Sequence, residues 1–429
     1  MLPILILLAL AWGILAWRKP KFAVLVLPAL LPAYLLRTKI GPLPTTLLEL
    51  VWISTLIGAT ARLGKDIWLK GFENARPWRW ALVLWSLATA IAVAVAPDHI
   101  AALGLWRAYI LEPVVYFILL SACLKENRDR RLLISSLLTV TFFVTLWAIF
   151  QYATGLGIPH PWDTSFLTRR ATGPFPYPNA LSLFCAPLAA LFFGLAINDR
   201  RPERSAAELK DLSKGPSTSS GRQYLLWLGF FAAVLSTLLA KSVGGSLAIL
   251  SAVAFLLIWN KKTRLPAIGA IILGLTIIFS VPQVRAPVIK NLSFQDWSGR
   301  VRVWMWQESW DMLKDRPILG AGLGAYPEVF KPYHKKTFIE IFQYPHNILL
   351  NLWSETGLLG ITALLLIVAT WIRLDLKKKS GTAVYLLPLI AILVQGLVDV
   401  PYFKNDLAIL FWVFACLASS PSTFQEKEV

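Results

Sequence analysis

Charge is scarce in this sequence. Only 15% of its 429 residues are Asp, Glu, Lys or Arg, against 56% apolar, and the mean hydropathy is +0.60. A water-soluble domain does not carry so many long apolar runs, so the composition points to a polytopic membrane protein. Cysteine is nearly missing as well: Cys123, Cys185 and Cys416 all fall in apolar runs without metal-ligand spacing, and read as small core hydrophobes. No P-loop is present. No repeat of 20–50 residues and no second domain is visible, so residues 1–429 read as one integral membrane domain. The first apolar run, 2–17, has no basic n-region before it and no clear cleavage site, so it is expected to be a retained helix rather than a leader.

What the chain does have is a series of apolar runs. They lie near 2–17, 22–36, 44–59, 80–96, 105–124, 132–153, 178–197, 224–240, 245–259, 265–282, 347–370, 383–398 and 406–419. This pattern predicts an all-α membrane fold with about 12–13 transmembrane helices. The formal net charge of +18 is spread over short basic clusters between these runs, which fits topology control and contact with anionic lipid headgroups and excludes a nucleic-acid partner. Clusters at 18–21, 62–79, 125–131, 200–222, 261–264 and 373–379 occupy alternate loops. One orientation puts all six in the cytoplasm, with the N-terminus outside and the C-terminus inside. Loops 154–177 and 283–346 are then extracytoplasmic, and loop 198–223, with its Gly215 to Gly221 stretch, is a flexible cytoplasmic linker.

Polar chemistry has room mainly in 283–346 and the helix after it. The spacing predicts a helix over Val301 to Lys314, ended by Pro317, and a turn at Gly320, Gly322 and Gly324. Tyr344-Pro345-His346-Asn347 then leads into an apolar helix carrying Asn347, Asn351, Ser354 and Glu355, a polar stripe that has to face protein or water. His346 reads either as an interfacial residue capping that helix or as a general base, since imidazole alone titrates near neutrality. Arg300 and Arg302, beside Trp304, Trp306 and Trp310, suggest an anion site, because guanidinium grips phosphate bidentately. Arg169-Arg170 precedes a proline-rich entry to the next span at Pro178-Asn179. Lys241 is either a snorkelling lysine or a third cation of the same site. Glu49, Arg107, Glu112 and Gln395 lie in or near apolar runs and are expected to include pairs. Arg107 and Glu112, five apart, do not fit an ideal helical pair.

The run from Ser298-Gly299-Arg300-Val301-Arg302-Val303-Trp304, through Lys314-Asp315-Arg316-Pro317-Ile318-Leu319-Gly320-Ala321-Gly322 and Pro345-His346-Asn347, to Glu355-Thr356-Gly357-Leu358-Leu359-Gly360 resembles the O-antigen ligase and polymerase superfamily. The Pro178-Asn179-Ala180 core is similar to that family's earlier outer-loop motif. The resemblance implies a C-type, inverting, metal-independent glycosyltransferase of the bacterial inner membrane, with its active site on the outer face. It would move a glycan from undecaprenyl diphosphate to an acceptor hydroxyl without a cofactor, the acceptor being a glycan or a lipid-linked one. By this register His346 and Arg300 are the catalytic residues, Arg302 is not the motif arginine, and Ser242-Val243-Gly244 departs from the family's Ser-Arg-Gly.

On that reading Arg300, with Arg170 or Lys241, stabilises the leaving diphosphate, while Arg302, Trp304, Asn179 and Asn347 complete the binding site. His346→Ala and Arg300→Ala are each expected to abolish transfer. Ligase and polymerase both remain open. A transporter or flippase of lipid-linked glycans is the reading from another class, though the polar residues gather on one face rather than at mid-membrane; a scaffold or receptor without catalysis is a third, and it would tolerate substitution of His346.

Overall fold

The computed structural model describes residues 2–41, 43–198, 218–378 and 382–420. The linker expected at 198–223 falls mostly on 199–217, outside the described residues. Each of the thirteen apolar runs contains a helix, and the fold is an all-α polytopic membrane protein. Fewer helices than the expected 12–13 are long enough to cross a bilayer by themselves. Among the described residues six qualify: 66–95, 99–123, 127–154, 178–198, 221–239 and 348–376. Shorter apolar helices of 10–17 residues stand beside them.

Local sequence explains the short pieces. Helix Pro20–Val26 gives way to a 3₁₀ stretch, Leu27–Leu35, where Pro28 and Pro32 remove the amide donors an α-helix needs. The run expected as a span at 44–59 begins instead as a strand. Arg37–Ile40 and Leu43–Thr46 pair as an antiparallel hairpin, and helix Leu47–Leu63 starts only after it. Thr46 and Glu49 form a capping box there, each side chain accepting the other's backbone N–H.

Helix Pro178–Asn198 is the centre of the bundle, 94% buried over its apolar window. It packs against helices Thr218–Leu239, Val243–Trp259 and Leu386–Gly396. Gln395, one of the four polar residues in apolar runs, donates to Ser182 Oγ on this helix at 3.2 Å. All three cysteines are free and buried, in keeping with their reading as core hydrophobes.

Four of the six basic segments, 18–21, 62–79, 125–131 and 373–379, meet at one end of the bundle. Lys21 pairs with Asp129 at 2.8 Å, Asn74 donates to Ser121 O at 2.8 Å, and Lys378 donates to Leu417 O at 3.0 Å. Beneath these contacts Trp78, Phe117, Trp371 and Trp412 pack edge to face and tilted, with centroids 5.1–6.3 Å apart.

The opposite end holds the large loop. After helix Arg264–Ser280 the chain bends by 103°. It continues through helices Pro282–Leu292 and Trp297–Asp315, the latter longer at both ends than its expected core at 301–314. The turn at Gly320, Gly322 and Gly324 is built on left-handed backbone, φ +69°, +96° and +74°. This turn docks on two spans at once: Ala321 N–H donates to Ser354 O at 2.7 Å, and Leu323 N–H donates to Ala92 O at 3.0 Å. Gly357 breaks helix Ile348–Leu376 with φ +66°, which frees Leu358 N–H to donate to Ile318 O at 3.0 Å. A glycine is needed there, both for the positive φ and because a Cβ would collide with the Ile318 carbonyl.

Candidate active site

A cleft of about 620 Å³ opens where the large loop meets the bundle. Its wall includes Arg170, Asn179, Lys241, Arg302, Asn347 and Asp399. Five residues that sequence reasoning placed on the substrate thus meet in one space, although they come from segments 170–179, 241, 302 and 347.

Helical periodicity decides which arginine enters. At about 100° per residue, positions two apart on helix Trp297–Asp315 point to nearly opposite sides. Ser298, Arg302 and Trp306, four apart in turn, form the stripe that lines the cleft. Arg300 and Trp304 belong to the other stripe. Arg300 is exposed and stands 5.9 Å from the Trp297 ring, while Trp304 packs edge-on against Trp297 and Phe338. Neither lines the cleft, whereas Arg302 does.

The cations are held rather than loose. Arg302 donates from Nε to Val398 O at 3.0 Å and from a terminal nitrogen to Ser298 Oγ at 2.8 Å. Arg170 donates from Nε to Ala240 O at 2.8 Å and from Nη2 to Asn179 Oδ1 at 3.0 Å. Burial, and then the positive charge of Arg302, hold the Arg170 guanidinium below its ordinary pKa. Two cations share the cleft at mutual electrostatic cost, which an anionic ligand would relieve. Lys241 has left-handed backbone, φ +48°, and its ammonium donates to Leu167 O at 2.5 Å.

His346 sits at the edge of this cleft with φ +48°. Its Nδ1 lies 3.2 Å from Asp399 Oδ1. A carboxylate can only accept, so Nδ1–H donates, and Nε2 is left as the ring atom able to take a proton. Burial pushes the Asp399 carboxyl up. The His346 hydrogen bond and charge, the Val400 N–H and Arg302 outweigh it and bring it below the usual carboxylate range. Phe342 and Tyr344 flank the imidazole edge-on at 5.3 and 5.2 Å between centroids.

The helix cap is Asn347, not His346. Its Oδ1 accepts from Leu349 and Leu350 N–H at 3.0 and 3.1 Å, and its Nδ2 donates to Leu397 O at 3.0 Å. Although Asn347 lines the cleft, its side chain is already committed to fixing His346 and the 397–399 turn. The polar stripe beyond it is buried in protein, as expected: Asn351, Ser354 and Glu355 are all enclosed.

Asp399 escaped the sequence reading. It stands just past the apolar run 383–398, and the only signal for it was a lone carboxylate at the same end of the bundle as His346. Among the described residues no group of three or more His, Cys, Asp or Glu is gathered to hold a metal ion.

Residues 228–365 match the family model described as O-Antigen ligase, a segment that contains Lys241, Arg302, His346 and Asn347. An uncharacterized protein of Haemophilus influenzae is 26% identical over 249 residues, which takes in 48% of this chain and 62% of the relative. The match therefore spans less than two thirds of that relative's length.

Proposed function

We propose, from the match of residues 228–365 to the O-antigen ligase family model, that the protein transfers a glycan from a polyprenyl diphosphate, undecaprenyl diphosphate by resemblance, to an acceptor hydroxyl at the outer face of the bacterial inner membrane. The observation that carries this reading is a cleft lined by three cationic side chains and by Asp399, the buried carboxylate that orients the neighbouring His346.

In the reaction the acceptor oxygen attacks the anomeric carbon of the donor. The bond from that carbon to the phosphate oxygen breaks, and the diphosphate leaves with the bonding electrons. Attack opposite the leaving group inverts the anomeric configuration. Arg170, Arg302 and Lys241 face the growing negative charge, a type of stabilisation that acts strongly where water is excluded. The acceptor proton passes to His346 Nε2, and the imidazolium so formed is held by Asp399. Ligation to a lipid-linked core and polymerisation of a surface polysaccharide use this same chemistry and differ in the acceptor.

The test is transfer by the purified protein in liposomes, given lipid-linked glycan and candidate acceptors and read by mass spectrometry. Wild type is expected to transfer and His346→Ala to fail, with the product mass separating ligation from polymerisation. Equal transfer by His346→Ala would remove this mechanism.

A further inference from the structure

A second cavity, of about 400 Å³, is walled in part by Tyr344, two residues before His346. Its size falls in the range of ~300–1,000 Å³ usual for small-ligand sites. Tyr177 and Tyr344 belong to its wall, their hydroxyls 2.7 Å apart. Tyr344 touches the His346 ring, and His346 in turn touches Asp399 of the cationic cleft. The histidine therefore contacts one wall residue of each space.

The lining of this cavity is poorly satisfied. The Tyr34 hydroxyl, both amide atoms of Asn351 and the Lys404 ammonium are buried and have no hydrogen-bond partner among the described residues. Buried polar atoms are nearly always paired. Unpaired atoms from three separate segments, around one space, mark where a ligand's polar groups go. Their chemistry narrows the choice. An amide and a phenol match vicinal hydroxyls, the tyrosine rings offer flat apolar faces to a pyranose, and Lys404 adds a desolvated positive charge 4.1 Å from the Tyr177 ring centroid. Arg37 adds a second cation at the mouth, and the Glu355 carboxylate is turned to the Gly324 N–H.

We propose that this cavity is the subsite for an acidic sugar residue of the acceptor, with the sugar carboxylate on Lys404 and its hydroxyls on Asn351 and Tyr34. The assignment to the acceptor rests on the transferase reading above. Tyr344, part of the cavity wall, packs edge-on against the His346 ring, so a sugar held here sits one side chain away from the proposed base.

The experiment is saturation-transfer NMR on the full-length protein in nanodiscs, titrating methyl β-glucuronide against methyl β-glucoside. The glucuronide is expected to bind about tenfold more tightly, since a charge-assisted hydrogen bond to a desolvated ammonium is worth at least that factor. Lys404→Met should erase the preference, Lys404→Arg should keep it, and Asn351→Leu should weaken both sugars. Equal binding of the two sugars by wild type, or an intact preference in Lys404→Met, would overturn the subsite. The liposome assay with His346→Ala judges the transferase reading separately, so failure of one is distinguishable from failure of the other.

Discussion

His346 Nδ1 lies 3.2 Å from an Asp399 carboxylate whose side chain is only 3% exposed. Proximity of this kind fixes a tautomer. With Nδ1–H committed to the carboxylate, Nε2 carries the lone pair and is ready to accept the acceptor's proton.

Asp399→Asn removes that instruction without removing much volume. An amide nitrogen turned towards Nδ1 would favour the tautomer protonated at Nε2, which cannot act as a base. Turnover is expected to fall by about 10²–10⁴-fold, the range that general-base catalysis contributes, with little change in KM for the lipid donor. A fall in donor affinity with unchanged turnover would instead assign Asp399 to binding.

Arg302 and Arg300 supply a sharper comparison. Arg302→Ala takes a cation out of the cleft and is expected to lower transfer by about 10²–10³-fold, as for loss of one donor to a developing anion. Arg300→Ala alters an exposed side chain beside Trp297 and should change transfer only a few-fold. The reverse ranking in the liposome assay would restore the family register and show that the helix turns when substrate binds. Arg302→Lys is expected to recover part of the loss, because the point charge returns but the bidentate grip does not.

These two arginines also mark how far the sequence could be read. Periodicity located helix Trp297–Asp315 to within a few residues and the polar stripe behind Asn347, because apolar and polar spacing is local information. Which side of an exposed helix meets the cleft depends on what it packs against, and that is not local. The four-residue rule did contain a clue, since Ser298, Arg302 and Trp306 share one stripe. The Arg37–Thr46 hairpin lies between two apolar runs, and only the end of its second strand overlaps the one that read as a span at 44–59. Asp399 was hidden because nothing nearby in sequence announces His346, 53 positions away.

Lys404 carries a pH signature. Burial pushes its ammonium down to about 8, against the opposing pull of Asp406 and Asp399 and with a small further push from Arg37. Below that pH the group is charged and ready for a carboxylate. Above it, binding an acidic sugar has first to take up a proton. Affinity for methyl β-glucuronide is therefore expected to fall as pH rises through about 8, while affinity for the neutral glucoside stays level. Parallel curves for the two sugars would separate Lys404 from recognition.

Arg107, Glu49 and Glu112 form a charged cluster within the bundle, and its geometry depends on a helix irregularity. Residues 107–111 adopt a π-turn, whose hydrogen bonds run five residues apart, so positions 107 and 112 fall on the same side. Arg107 reaches Glu49 Oε1 at 2.7 Å and Glu112 Oε1 at 3.5 Å, and the two carboxylates are only 5% and 4% exposed. Thr45 adds a hydroxyl to Glu49 Oε2 at 2.7 Å. Arg107→Leu would take the cation away from two buried carboxyl groups; because the Arg107 side chain is itself 39% exposed, the expected loss of stability is about 1–3 kcal/mol. Adding Glu112→Gln to Arg107→Leu removes one of the stranded charges, so the double variant should be less destabilised than the sum of the single changes. Unfolding midpoints in detergent test this directly. An Arg107→Leu protein as stable as wild type would mean that the cluster is already neutralised by other means, and additive single effects would mean that the three side chains do not act together.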